Sequence, residues 1–123
     1  MVNFYNKGDI VLFKNIMLIN NDGIQTIDTR IKGHPFIILN DINEFGEIAL
    51  CLKCSSSTVG KRKKFHFKVD SIKMKGMKQK TTYIEMNHIY KIRIDNFISP
   101  VGRVSNKLLT ELEEKIKQQN NFE

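Results

Sequence analysis

Short apolar runs separated by turn residues make up most of the chain, and only the C-terminal stretch changes to a helical period. Gly8-Asp9 reads as a turn that launches Ile10-Val11-Leu12-Phe13, four apolar residues of strand character with both faces buried. Two apolar stretches, 16–19 and 24–29, flank Asn20-Asn21-Asp22-Gly23, and Asp-Gly between such stretches is a hairpin signal. A hairpin-like loop is therefore expected over 15–33. Pro35 cannot donate to a ladder, so it suits the first residue of the next strand, 36–40, and it holds His34 extended at that strand's mouth.

After a turn around 43–46, the strand 47–55 alternates. Ile48, Leu50, Leu52 and Cys54 fall on one face, and Ala49, Cys51, Lys53 and Ser55 on the other. In 64–69 the residues Phe65, Phe67 and Val69 point in, and Lys64, His66 and Lys68 point out. The pattern fails over 71–80, which reads as a flexible connection, and resumes as strands at 81–86 and 89–94. In the second of these Tyr90, Ile92 and Ile94 share a face. Ser105 is a candidate N-cap for an amphipathic helix over about 105–119, carried by Leu108, Leu109, Leu112 and Ile116. The fold class expected is mainly β with a C-terminal helix, a small antiparallel barrel or curled sheet in a single domain over 1–123. Strands apolar on both faces in so short a chain point to burial by a second copy, hence a homodimer.

Composition narrows this picture. At 123 residues and 41% hydrophobic, the chain is long enough to bury a core without disulfides or a metal. The N-terminus has no signal-peptide pattern and no stretch reaches the roughly 18 apolar residues of a membrane span. A cytoplasmic protein without membrane association is the expectation. Cys51 and Cys54 form a CxxC, but residues three apart in a strand face opposite ways, so two reduced thiols are expected rather than a metal or redox site. No cofactor is expected.

Charge is unevenly placed. Nine Lys or Arg against one acid, Asp70, give 61–80 a local +8 in a chain whose total is +7. Such a surface suits phosphate backbones or acidic protein segments. Lys61, Arg62, Lys64 and Lys68 lie in it, and His66 stands among them.

Four motifs recur in a familiar order. Gly8-Asp9-Ile10-Val11, Gly33-His34-Pro35-Phe36-Ile37-Ile38-Leu39, Leu52-Lys53-Cys54-Ser55-Ser56 and Gly102-Arg103-Val104-Ser105 before a Leu-rich helix resemble the MazF/PemK toxin family, with Tyr83 to Ile94 similar to its late strands. The resemblance implies an SH3-like barrel of the CcdB/PemK type, a homodimer, and the toxin of a type II toxin–antitoxin system. It also implies a metal-independent endoribonuclease acting on single-stranded RNA such as mRNA and restrained by an acidic antitoxin. Ser55 matches the hydroxyl residue at the family's strand end, usually threonine. Before the proline the family usually has arginine, and this chain has His34.

The chemistry accommodates that change. Metal-free cleavage turns the ribose 2′-hydroxyl on its neighbouring phosphate, and it needs a base, an acid for the leaving 5′-oxygen and cations around the phosphoryl group. Because a histidine side chain changes charge within the physiological pH range, His34 is a candidate base or acid, and Ser55 can hydrogen-bond a phosphoryl oxygen. Lys32, Lys53 and Ser56 join the basic residues above as substrate-binding candidates, with His66 a second acid/base candidate. His88 has no assigned role, and the pattern leaves Tyr5, Tyr83 and Tyr90 unplaced with respect to base stacking. Two alternatives stand beside this one: a non-catalytic member binding nucleic acid or an acidic antitoxin segment, and a CcdB-like gyrase-directed poison.

Overall fold

A computed structural model describes residues 4–12, 18–19, 23, 25–26, 34–44, 46–55, 66–69, 82–86, 88–94 and 99–119. Its elements are β1 (Asp9–Val11), β2 (Leu18–Ile19), β3 (Gln25–Thr26), β4 (Phe36–Ile38), β5 (Ile48–Ser55), β6 (His66–Val69), β7 (Thr82–Glu85), β8 (Tyr90–Arg93), β9 (Gly102–Arg103) and α1 (Asn106–Gln119). Every named strand pairing is antiparallel. The architecture is the expected one, a mainly antiparallel curled sheet with one C-terminal helix.

β5 is the hub. It pairs β8 through Ile48–Cys51, β4 through Cys51–Lys53, and β7 through Cys54 and Ser55. From Ile84 to Tyr90 the chain advances six residues while its β5 partners move only three, from Cys54 to Cys51. The β7–β8 side therefore carries three more residues than β5 opposite it, and the ladder along that edge is interrupted. At that point β5 passes from the sheet it shares with β4 and β8 into the one it shares with β7 and β6, and the sheet curls.

Local signals explain the element ends. Gly8, at φ +96°, makes the turn before β1, and a side chain there would meet Leu109 and Arg103 at about 3.4–3.5 Å. Asp9 closes the turn: its Oδ2 accepts the Asn6 N–H at 2.8 Å and its Oδ1 accepts Arg103 Nη1 at 3.1 Å. Pro35 stands just before β4 as expected, and its carbonyl accepts the Cys54 N–H at 2.8 Å. Gly23, at φ +81°, lies between β2 and β3, which pair Leu18 with Thr26. Ser105 Oγ accepts the Leu108 N–H at 3.1 Å, the geometry of an N-cap.

Two apolar clusters lie on opposite faces of the sheet. One gathers Tyr5, Val11, Phe36, Ile38, Ile42, Ala49, Cys51, Ile92 and Ile94. The other sets Ile10, Ile37, Leu52, Cys54, Val69 and Ile84 against Leu109 and Leu112 of α1. Each fully buried leucine or isoleucine stabilises the fold by about 1.5–3 kcal/mol. Alternation thus holds in β1, β4 and β5, but its consequence differs from the expectation. Helix α1 packs on one face, and the residues of both clusters are buried within the single chain, so two-sided burial does not by itself require the second copy it suggested.

Candidate functional site

The two strand ends singled out in the sequence are neighbours. β4 and β5 pair Phe36 with Lys53, and Cys54 N–H reaches the Pro35 carbonyl, so the backbone register continues to set His34 opposite Ser55. The imidazole closes this junction: His34 Nδ1 lies 3.1 Å from the Cys54 carbonyl. A carbonyl can only accept, so Nδ1 carries the hydrogen and Nε2 keeps the lone pair. The bond defines which nitrogen of His34 can take a proton.

Beyond β5, the register adds two further strands. Ser55 pairs with Tyr83 of β7, and Tyr83 with Lys68 of β6. Side chains of directly paired residues stand on one face, and alternation adds Lys53 and Glu85, two residues back and two residues on. Phe67 and Val69, at the intervening positions of β6, pack into the helix-side cluster. The face bearing Ser55, Tyr83 and Lys68 is therefore the one turned away from α1. Along β5 this face changes character, from Ala49 and Cys51 in the core to half-buried Lys53 and Ser55.

At that change sits a polar group that the sequence reading did not assign. Glu85 is buried, and its Oε2 lies 3.8 Å from Lys53 Nζ, with the two side chains 12% and 14% exposed. Tyr90 Oη donates to Glu85 Oε1 at 3.1 Å. The Tyr90 ring is in turn held edge-to-face by Phe36, 5.6 Å between centroids, and by exposed His88 at 4.3 Å. Lys53, read from sequence as a cation for substrate, is thus also the counter-ion of a buried carboxylate. A strand is expected over 81–86, and its alternation sets Tyr83 and Glu85 on one face; what the sequence lacked was a sign that this face meets Lys53.

The thiols flank this site without belonging to it. Burial pushes the Cys54 thiol up to about 12 and raises Cys51 as well, with the neighbouring Cys54 charge adding to the latter. Cys51 lies in one apolar cluster and Cys54 in the other, on opposite faces of β5. Among the described residues no three His, Cys, Asp or Glu side chains gather as a metal site, and no helix is long and apolar enough to cross a membrane.

Of the other expected substrate contacts, Lys68 is exposed on the site face, and His66 is the register partner of Glu85. Lys32, Ser56, Lys61, Arg62 and Lys64 lie outside the described residues, as does the connection 71–80. A family model, described as PemK-like, MazF-like toxin of type II toxin-antitoxin system, matches residues 8–119, from the turn glycine before β1 to the last residue of α1. No curated protein matches the chain in sequence.

Proposed function

Since the chain belongs to the PemK-like, MazF-like toxins of type II toxin–antitoxin systems, we propose that it is a metal-independent endoribonuclease that cleaves single-stranded RNA at the junction of His34 and Ser55. Family membership carries with it an antitoxin partner. The observation that supports the catalytic reading best is the β4–β5 register, which brings an imidazole and a hydroxyl from distant parts of the sequence to one strand end.

The chemistry is written on those groups. His34 Nε2 takes the proton of the ribose 2′-hydroxyl, the 2′-oxygen bonds to phosphorus, and the bond from phosphorus to the 5′-oxygen breaks. The leaving 5′-oxygen takes a proton from an acid, for which His66 is the candidate. The products are a 2′,3′-cyclic phosphate and a 5′-hydroxyl end. Ser55 donates to a phosphoryl oxygen, and Lys53 offsets the charge gathered there. Lys68, with the sequence-assigned Lys32, Ser56, Lys61, Arg62 and Lys64, extends the positive track along the backbone. An acidic antitoxin segment laid over the same track neutralises it and covers His34. The working form is a cytoplasmic homodimer of single-domain chains, as the family resemblance implies.

The test is incubation with a long unstructured RNA in EDTA, with mapping of the cut ends, beside His34→Ala and Ser55→Ala. Discrete cuts with 5′-hydroxyl ends are expected, slowed about 100-fold or more in His34→Ala. Wild-type cutting by that variant removes His34 from the mechanism. No cutting of varied RNAs, with salt-sensitive binding retained, makes the protein a binder on this scaffold instead.

A further inference from the structure

We infer that Tyr83 is the platform on which an unpaired nucleobase beside the scissile phosphate stacks, an assignment that rests on the ribonuclease reading of this site. The three tyrosines occupy different settings. Tyr5 is fully buried in the core, and Tyr90 has its hydroxyl committed to Glu85. Tyr83 is half-buried, on the face turned from the helix, with Ser55 as its partner on one side and Lys68 on the other.

That row has the order a single-stranded nucleotide requires. His34 and Ser55 hold the phosphate, Tyr83 stands one strand further on, and exposed Lys68 stands one strand beyond that. Adjacent strands lie about 4.8 Å apart, so the ring sits within one nucleotide's reach of the phosphate, and Lys68 meets the backbone beyond the base. Sequence-independent single-strand sites combine a cationic track with an aromatic face in this way. Stacking uses the π-face that every base has, so Tyr83 contributes affinity and registers the strand without selecting one base. The β5–β7 and β6–β7 pairings hold Tyr83 between two ladders, so its backbone is fixed before RNA arrives.

The experiment uses the full chain and an RNA blocked against cleavage by a 2′-O-methyl group at a mapped cut site, with 2-aminopurine at the adjoining nucleotide. Wild type and Tyr83→Phe are expected to quench 2-aminopurine fluorescence and to bind alike. Tyr83→Leu, which keeps an apolar side chain in the strand but no π-face, is expected to lose the quench and to bind about 5- to 150-fold more weakly. Tyr83→Leu binding and quenching like wild type overturns the assignment. So does a variant in which RNA binding is intact and only antitoxin binding falls, since that makes Tyr83 a protein contact. Failure of the wild-type chain to cut any RNA is a separate outcome: it removes the ribonuclease reading and this inference with it, whereas active wild type with an indifferent Tyr83→Leu removes this inference alone.

Discussion

Asp9, at the β1–β9 end of the sheet, and Glu85, under the candidate site, are both held by cations, and they are held differently. Asp9 has both oxygens occupied at hydrogen-bonding distance, by Arg103 Nη1 at 3.1 Å and the Asn6 N–H at 2.8 Å. Arg103 also donates to the Lys7 carbonyl at 3.0 Å. Glu85 is bound at one oxygen by Tyr90 at 3.1 Å, while Lys53 stands 3.8 Å from the other, attracted but beyond hydrogen-bonding distance. The first pair is a lock between register partners from the two ends of the chain. The second leaves its ammonium able to turn toward another anion, and a phosphate oxygen is the anion this site is proposed to meet.

The exposures decide the energetics. Both side chains of the Lys53–Glu85 pair are largely buried, so removing one partner leaves a charge with poor solvation. Lys53→Met is expected to destabilise the protein by about 3–5 kcal/mol. Adding Glu85→Gln is expected to restore all but about 1 kcal/mol, because the neutral amide needs no counter-ion and its oxygen still accepts the Tyr90 hydroxyl. Urea denaturation of both singles and the double gives the coupling; single costs that simply add would show that the pair is solvated and that the contrast with Asp9 does not hold. The double variant has a second use. It is expected to remain folded while binding RNA more weakly, separating Lys53's place in the fold from its place in the site.

At the lock, the arginine side chain is 47% exposed, so solvent screens the pair and its value is discounted. Asp9→Asn keeps the shape of the turn and loses the charge, at an expected cost of about 1–2 kcal/mol in thermal or urea unfolding. RNA cleavage by the folded fraction is expected to be unchanged. A fall in cleavage rate without a fall in folded fraction would mean that the lock and the site communicate, contrary to a purely structural Asp9. The surface pair Lys7–Glu113, at 3.9 Å and about half exposed on both sides, adds less.

How much of this the sequence disclosed varies with the range of the contact involved. Pro35 fixed where β4 begins, and alternation over 47–55 placed Lys53 and Ser55 on a shared face, so the meeting of His34 and Ser55 was readable from two local patterns. Ser105 and the leucine stripe likewise announced the helix. Glu85 and Tyr83 were readable only as far as their common face. Their partners depend on the register between β5 and β7, set beside the six-against-three step from Ile84 to Tyr90, which has no local signature. The inference from two-sided apolar strands to a second copy failed as a deduction for a related reason: periodicity shows that a face is buried, not which layer of the same chain buries it. Lys53 shows the same limit, since a lysine alternating outward in a strand looks solvated until its opposite number is known.

The thiols supply the mildest and most selective probe of how dry the strand is on either side of Lys53. Burial holds Cys54 at about 12 and raises Cys51 too, whereas an unfolded cysteine ionises near 8.5–9. Below that unfolded value both states keep the proton, and the thiols make no pH-dependent contribution. Above it the unfolded chain loses protons that the native chain retains, so stability falls as pH rises, by about 1.4 kcal/mol per pH unit for each thiol until the native value is reached. The expected unfolding midpoint is flat in its thiol contribution from pH 7 to 8 and declines from about pH 9. Cys54→Ala, at the cost of a small cavity, is expected to halve that slope. In the same terms, a disulfide-exchange reagent at pH 8 is expected to label neither cysteine faster than the protein unfolds. Rapid labelling of Cys51 in the native state would place water on the face of the strand that carries Lys53, and the buried ion pair would then cost little to break, as an exposed one does.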